Sequence, residues 1–282
     1  MNLDDMKTFG VEVEFISLYN RSFIAEKIRE ATGVNVVLAS YSDKDHTKWR
    51  LKTDSSIRTR DHGMELVTPV LKGEHDMAKL LAIMDVVSEY GTVNISCGLH
   101  VHIGINDLET SEYRKLLKLW LKYENACDML LPRSRRTGNT YCRSNLGCSR
   151  DEDYGVSLIQ SFKVLNGRKS VRSLAGSNRG HTFGQKYTKL NTAHYWSQGT
   201  VEFRSHSGTV NKDKVDNWVR LTQAFVMTAQ HCRGTNINET ANTKSYRTKV
   251  MLTDFYKKGF LDKSTVRFYK NRYKELNNEI CR

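Results

Sequence analysis

The stretch that most constrains this chain is Cys97–Gly104, Cys-Gly-Leu-His-Val-His-Ile-Gly. Leu99, Val101 and Ile103 alternate with His100 and His102, and in an extended strand successive side chains point to opposite faces. The pattern predicts a strand with both imidazoles on one face and the aliphatic residues on the other. Two imidazoles on a rigid strand suit a metal or phosphate site. A polar strand face hydrogen-bonded to its neighbours satisfies the same short motif.

Three further segments repeat this polarity. In Thr8–Ile16, Val11, Val13 and Phe15 alternate with Glu12 and Glu14. Two like charges on one strand face repel, and a bound cation is what would reconcile them. Gly63–Pro69 reads as the second half of a hairpin whose first half is Trp49–Thr53, with Asp54-Ser55-Ser56 as turn residues. Glu65 lies in that otherwise apolar strand, a costly position unless the carboxylate is paired or metal-bound. In Gly199–Gly208, Val201, Phe203 and Ser205 alternate with Glu202, Arg204 and His206.

Helical segments separate these strands. Ser22–Thr32 is amphipathic, with Ser22 as the expected N-cap and Gly33 past its end; Val34–Ala39 reads as a short strand. Glu74–Tyr90 carries a stripe of Met77, Leu80, Leu81, Met84 and Val87 and stops at Gly91. Thr110 is the expected cap of a helix running to about Leu130, and Asp213–Cys232 is a further amphipathic helix. Residues 133–189 read as irregular, a loop or lid whose Arg133, Arg135, Arg136 and Arg143 have phosphate-binding character.

Strands with one charged face, alternating with apolar-striped helices, predict an α+β fold. Its sheet is expected to be largely antiparallel and curved, with helices on the apolar face and a polar site on the concave one. Four carboxylates with an imidazole suit hard Mg²⁺ or Mn²⁺ better than structural zinc, and with arginine they suit phosphoryl transfer from ATP.

Charge distribution agrees with an anionic ligand. Of the net +13, residues 131–190 contribute +9 and 233–282 contribute +7, leaving −3 elsewhere. No apolar run approaches the ~20 residues of a membrane helix. The start of the chain lacks signal-peptide form, and the six cysteines have no paired zinc spacing. These features are expected of a cytoplasmic protein with reduced thiols.

The motifs also resemble a known family. Gly-Val-Glu-Val-Glu-Phe (10–15), Trp49 with Asp54-Ser55-Ser56, Gly63–Pro69, Cys97–Gly104, and Lys189-Leu-Asn followed by Gly199–His206 are together similar to the amidoligase family. That family belongs to the carboxylate–amine ligases with the catalytic fold of glutamine synthetase and glutamate–cysteine ligase, and its members are often phage-encoded. The resemblance implies a catalytic domain over 1–232; residues 233–282 match nothing in that family, and their Phe255, Phe260, Phe268 and Tyr269 read as part of a basic helical extension packed on the same domain. It implies Mg²⁺ held by Glu14, Glu65 and Glu202, with Glu12 and His100 completing a site nearer the ATP phosphates. Arg204 would stabilise the transferring phosphoryl group, and Glu14 and Glu202 would share the catalytic role. ATP or substrate contacts would come from His102, Arg179, Lys186, Asn191 and His206. The upstream phosphate-binding arginines of glutamine synthetase have no match here; Arg172, Arg179 or Lys186 would have to replace them.

The expected activity is ATP-dependent amide formation between a small-molecule or peptide carboxylate and an amine. Two rival readings are a metal-dependent hydrolase built on His100 and His102, and a basic nucleic-acid-binding phage protein. The acidic strand face counts against the second, because it would repel phosphate unless metallated. Oligomeric state stays open.

Overall fold

The computed structural model describes residues 2–40, 42–136, 139–146, 154–175, 183, 186–232 and 244–277. Its strands are β1 (Phe9–Ser17), β2 (Val36–Leu38), β3 (Trp49–Thr53), β4 (His62–Val67), β5 (Gly98–Gly104), β6 (Leu190–Asn191) and β7 (Thr200–Ser207). They form one mixed sheet in the order β2-β3-β4-β1-β5-β7-β6. The β2–β3 pair is parallel, whereas β3–β4, β1–β4 and β6–β7 are antiparallel. With the helices between them, this is the expected α+β class.

The chain divides into two compact units. One comprises Asn2–His102 and His206–Val219. In it, β1 pairs with β4 so that Val13 lies opposite Leu66, Phe15 opposite Met64, Glu14 opposite Glu65, and Glu12 opposite Val67. The hairpin continues the rows, with Lys52 opposite Glu65 and Leu51 opposite Leu66. Val13, Phe15, Leu51, Met64 and Leu66 are wholly buried, so the apolar side of this register is core. Helices α1 (Arg21–Thr32) and α2 (Gly73–Tyr90) pack against each other, and α1 also touches β2 and β3. The cap of α1 is Asn20, not Ser22: its Oδ1 accepts from Phe23 N at 3.0 Å. Gly33 closes the helix in the left-handed region at φ 69°, as expected.

The second unit comprises the described residues within 103–205 and 220–277. Its central helix is α3 (Thr110–Asp128), capped one residue earlier than expected by a Glu109–Glu112 capping box. The segment expected to be irregular contains two helices, α4 (Tyr154–Gly167) and α5 (Val171–Ala175). Their inner face, Leu158, Phe162, Leu165 and Leu174, is buried, and both pack on α3. Arg114 on α3 donates to the carbonyls of Leu165 and Arg168 and so satisfies the end of α4. The arginines expected to bind phosphate are partly spent inside the unit: Arg135 is buried, and Arg136 Nε donates to Leu131 O at 2.8 Å.

A short helix α6 (Tyr195–Gln198) precedes β7, and the long helix α7 (Lys212–His231) follows it. The last described helices are α8 (Lys244–Lys257) and α9 (Lys263–Asn277). Trp120, Phe203, Phe225 and Phe255 form an aromatic core from α3, β7, α7 and α8, with ring centroids 4.9–6.1 Å apart. Among the described residues no helix is long and apolar enough to cross a membrane, and Cys97, Cys127, Cys142 and Cys232 are free thiols.

A buried polar scaffold holds β6 in the second unit. Asn145 accepts from Leu190 N and donates to Leu190 O, both at 2.9 Å, as a strand neighbour would. Its own backbone N donates to the buried Glu124 at 2.8 Å. Lys189 Nζ lies 2.6 Å from both oxygens of Asp128 and from Arg136 O. Burial alone would push the Lys189 ammonium down; the Asp128 and Glu124 carboxylates outweigh it and hold it above its ordinary value. Because the folded value is the raised one, the stabilisation that Lys189 contributes is present at neutral pH and is lost as pH rises through the lysine range. Replacing Asp128 by Ala leaves a buried ammonium with one carbonyl partner. The expected cost is ~3–5 kcal/mol in chemical denaturation, and a loss below ~1 kcal/mol would remove Lys189 from the framework.

Candidate active site

The polar side of the first unit's strands is built by period-two alternation. Glu12 and Glu14 project from β1, Glu65 from β4, and His100 and His102 from the part of β5 in this unit. The register sets Glu14 directly across from Glu65. Glu14 Oε2 accepts from Gly98 N at 2.6 Å, which fixes its carboxylate at the start of β5. His100 bridges the acids, with Nδ1 at 3.3 Å from Glu12 Oε2 and Nε2 at 3.9 Å from Glu14 Oε1. His102 Nε2 lies 3.4 Å from Glu12 Oε1. Four of the five expected metal ligands, Glu12, Glu14, Glu65 and His100, therefore occupy one unit as neighbours.

Two overlapping groups there are close enough to hold a metal ion. Glu12, Glu65 and His100 bring one ligand atom each within 4.8 Å of the others, and so do Glu14, Asp54 and Glu65. Asp54 was read in the sequence only as a turn residue. It is one, accepting from Ser56 N at 2.7 Å, but it also extends the acidic face. The available signal was its position two residues beyond Lys52, on the same side of β3 as the hairpin's inner polar row.

The electrostatics are unequal. Burial pushes Glu12 upward, but the His102 and His100 imidazoles outweigh it and hold the carboxyl well below the usual range. Glu65 is pushed well above that range by burial and then by the charges of Glu12, Glu14 and Asp54. Lys52 opposes this only weakly; its ammonium donates to Asp43 O at 2.7 Å. Among the described residues Glu65 has neither a hydrogen bond nor an ion pair through its side chain. Oxygen-rich donors with one imidazole, one of them a carboxylate without a partner, fit a hard divalent cation.

In the second unit, Glu202 is 1% exposed on β7. Its carboxylate accepts from Asn191 Nδ2 at 2.6 Å, pairs with Arg204, and lies 3.3 Å from His194 Nε2. Asn191, expected on the substrate side, thus orients Glu202, and His194 is a partner the sequence reading missed. Lys186 is exposed, 5.5 Å over the Tyr187 ring, and Arg172 is exposed on α5. Arg179 lies outside the described residues. His206 belongs to the first unit, its Nδ1 2.7 Å from Ser207 O and its ring 5.2 Å from that of Trp218.

The fold and the cluster define a class: an α+β protein whose strand face gathers carboxylates and imidazoles suited to a divalent cation. Residues 5–226 match the family described as "Putative amidoligase enzyme", and the chain belongs to that family. No curated protein matches the sequence. Among solved structures, the chain is similar to the bifunctional glutathione synthetase from Pasteurella multocida, with a TM-score of 0.47 and 13% identity over 97% of this chain and 47% of that one. The chain thus spans about half the length of that protein.

The Glu65 shift gives a test. A carboxyl raised in the folded state destabilises the fold as pH rises above its ordinary value of 4.5, while Glu12 titrates below that window. In metal-free buffer at pH 7, Glu65→Gln is expected to raise Tm by about 2–4 °C, the response to ~1 kcal/mol in a chain of this size. Mg²⁺ or Mn²⁺ is expected to raise the Tm of the natural protein and to leave Glu65→Gln unmoved. An equal metal response in both proteins would remove Glu65 from the cation site.

Proposed function

We propose that the protein is an ATP-dependent carboxylate–amine ligase that makes an amide through an acyl phosphate. The observation that carries this reading is the packing of Glu12, Glu14, Glu65 and His100 within one unit, in a chain of the amidoligase family. Mg²⁺ or Mn²⁺ would be held by Glu12, Glu14, Glu65 and His100, with Glu202 a further carboxylate ligand. It would neutralise phosphate charge as the substrate carboxylate approaches.

In the proposed reaction, a carboxylate oxygen attacks the γ-phosphorus of ATP and ADP leaves. The amine nitrogen then attacks the carbonyl carbon, inorganic phosphate leaves, and the amine gives up a proton. Arg204 would stabilise the charge of the transferring phosphoryl group, as a guanidinium does through paired N–H donors. Its pairing with Glu202 holds the guanidinium in one orientation, and Asn191 holds Glu202 from the other side. His102, beside Glu12, would contact a phosphate, and Lys186 and His206 are proposed on the ATP or substrate side.

The test is ADP release with Mg²⁺ and ATP against pooled amino acids and polyamines. Release is expected to need both an acid and an amine, and to fall at least ~100-fold in Glu14→Gln and Glu202→Gln. The variants should keep their Tm within a few degrees, because a loss of stability matching the loss of turnover would assign these residues a structural role. Absence of ATP binding by the natural protein would overturn the proposal.

A further inference from the structure

The family match ends at residue 226, and the described chain beyond it builds α8 and α9. These helices pack on each other and line a cavity of about 640 Å³. Its floor is apolar, from Leu252 and Val266; its walls carry Lys249, Lys263, Arg267, Lys270 and Lys274, with Tyr273 among them and no acidic residue. All five cations are exposed, and none makes an ion pair among the described residues.

The cations are ordered. Lys263, Arg267, Lys270 and Lys274 recur every three or four residues, so they form one stripe of α9, while Thr265 and Tyr269 bury the opposite face. At 1.5 Å per residue the stripe is ~16 Å long, enough to follow more than one successive phosphate of a single strand. The platform beneath is firm: on α8, Thr248 Oγ1 donates to Ala126 O at 3.2 Å, and Phe255 packs on Phe225 with ring centroids 4.9 Å apart. A small anion would be held by cations converging on a point. A linear row of cations beside a half-buried tyrosine suits a linear polyanion whose bases can stack.

We infer that the α8–α9 groove is a binding site for single-stranded nucleic acid, with Lys263, Arg267, Lys270 and Lys274 on the phosphates and Tyr273 against a base. The site is independent of the proposed ligase chemistry.

Fluorescence anisotropy of the full chain with a labelled oligothymidylate or oligouridylate of about 20 nucleotides, over ~50–200 mM salt, tests the assignment. The natural protein is expected to bind with an affinity that falls steeply with salt. The triple variant K263Q/R267Q/K270Q should bind about 10-fold or more weakly, with a log–log salt slope shallower by about 2, since each phosphate contact on a single strand contributes ~0.7. Tyr273→Leu, which keeps the charge, should weaken binding about 5-fold or more. All substituted cations are exposed, and an unchanged Tm verifies folding. No binding by the natural protein, or equal binding by the triple variant, overturns the inference. So does polyglutamate of similar length if it binds more tightly than the oligonucleotides and loses that binding in the triple variant, because the groove would then serve an acidic protein.

Discussion

Glu14 and Glu65 face each other across an antiparallel strand pair, with Glu12 two residues along. Like charges placed directly opposite are destabilising, and burial makes them more so. The pairing persists because the same backbone hydrogen bonds also set Val13 against Leu66 and Phe15 against Met64 on the reverse face. A slip of one residue would turn the carboxylates into the core and the aliphatic side chains out of it. Core and candidate site are thus held by one register. Lys52 only weakly relieves the repulsion between the carboxylates, which concentrates on Glu65.

The other unit handles buried charge differently. Glu124, Asp128, Lys189 and Asn145 lie in the interior, yet each has short, specific partners. Such a satisfied network stabilises one arrangement and leaves little demand for an outside ion. What it holds is β6, whose Asn191 reaches Glu202 on β7. Buried carboxylates therefore do two kinds of work in this chain: those with complete partners build a frame, and those that face one another present a charge to be met by a ligand.

Much of this was legible in the residue order. Alternation identified four strands and named Glu12, Glu14, Glu65, His100, His102 and Glu202 as chemistry-bearing positions. It did not disclose Asp54, whose turn geometry hid its second role, or His194, which reaches Glu202 from outside any regular strand. The irregular reading of residues 133–189 overlooked α4, although Leu158, Phe162 and Leu165 have helical spacing. The glycine, asparagine and arginine content around them masked that short stripe. Arg135 and Arg136 looked like ligand-binding cations because composition cannot reveal that the first is buried with its guanidinium against Cys142 Sγ and the second donates to Leu131 O.

By itself, the sequence determined which residues share a strand face and which helices are apolar on one side. Those are local properties, set by the two-residue and 3.6-residue periods of the backbone. Only the tertiary structure decided that Glu65 stands opposite Glu14, that Gly98 N anchors Glu14, and that α9 lays its cations along a groove with α8. Those facts depend on hydrogen bonds and packing between elements, where more than one register keeps the same local pattern and the contacts between elements select one.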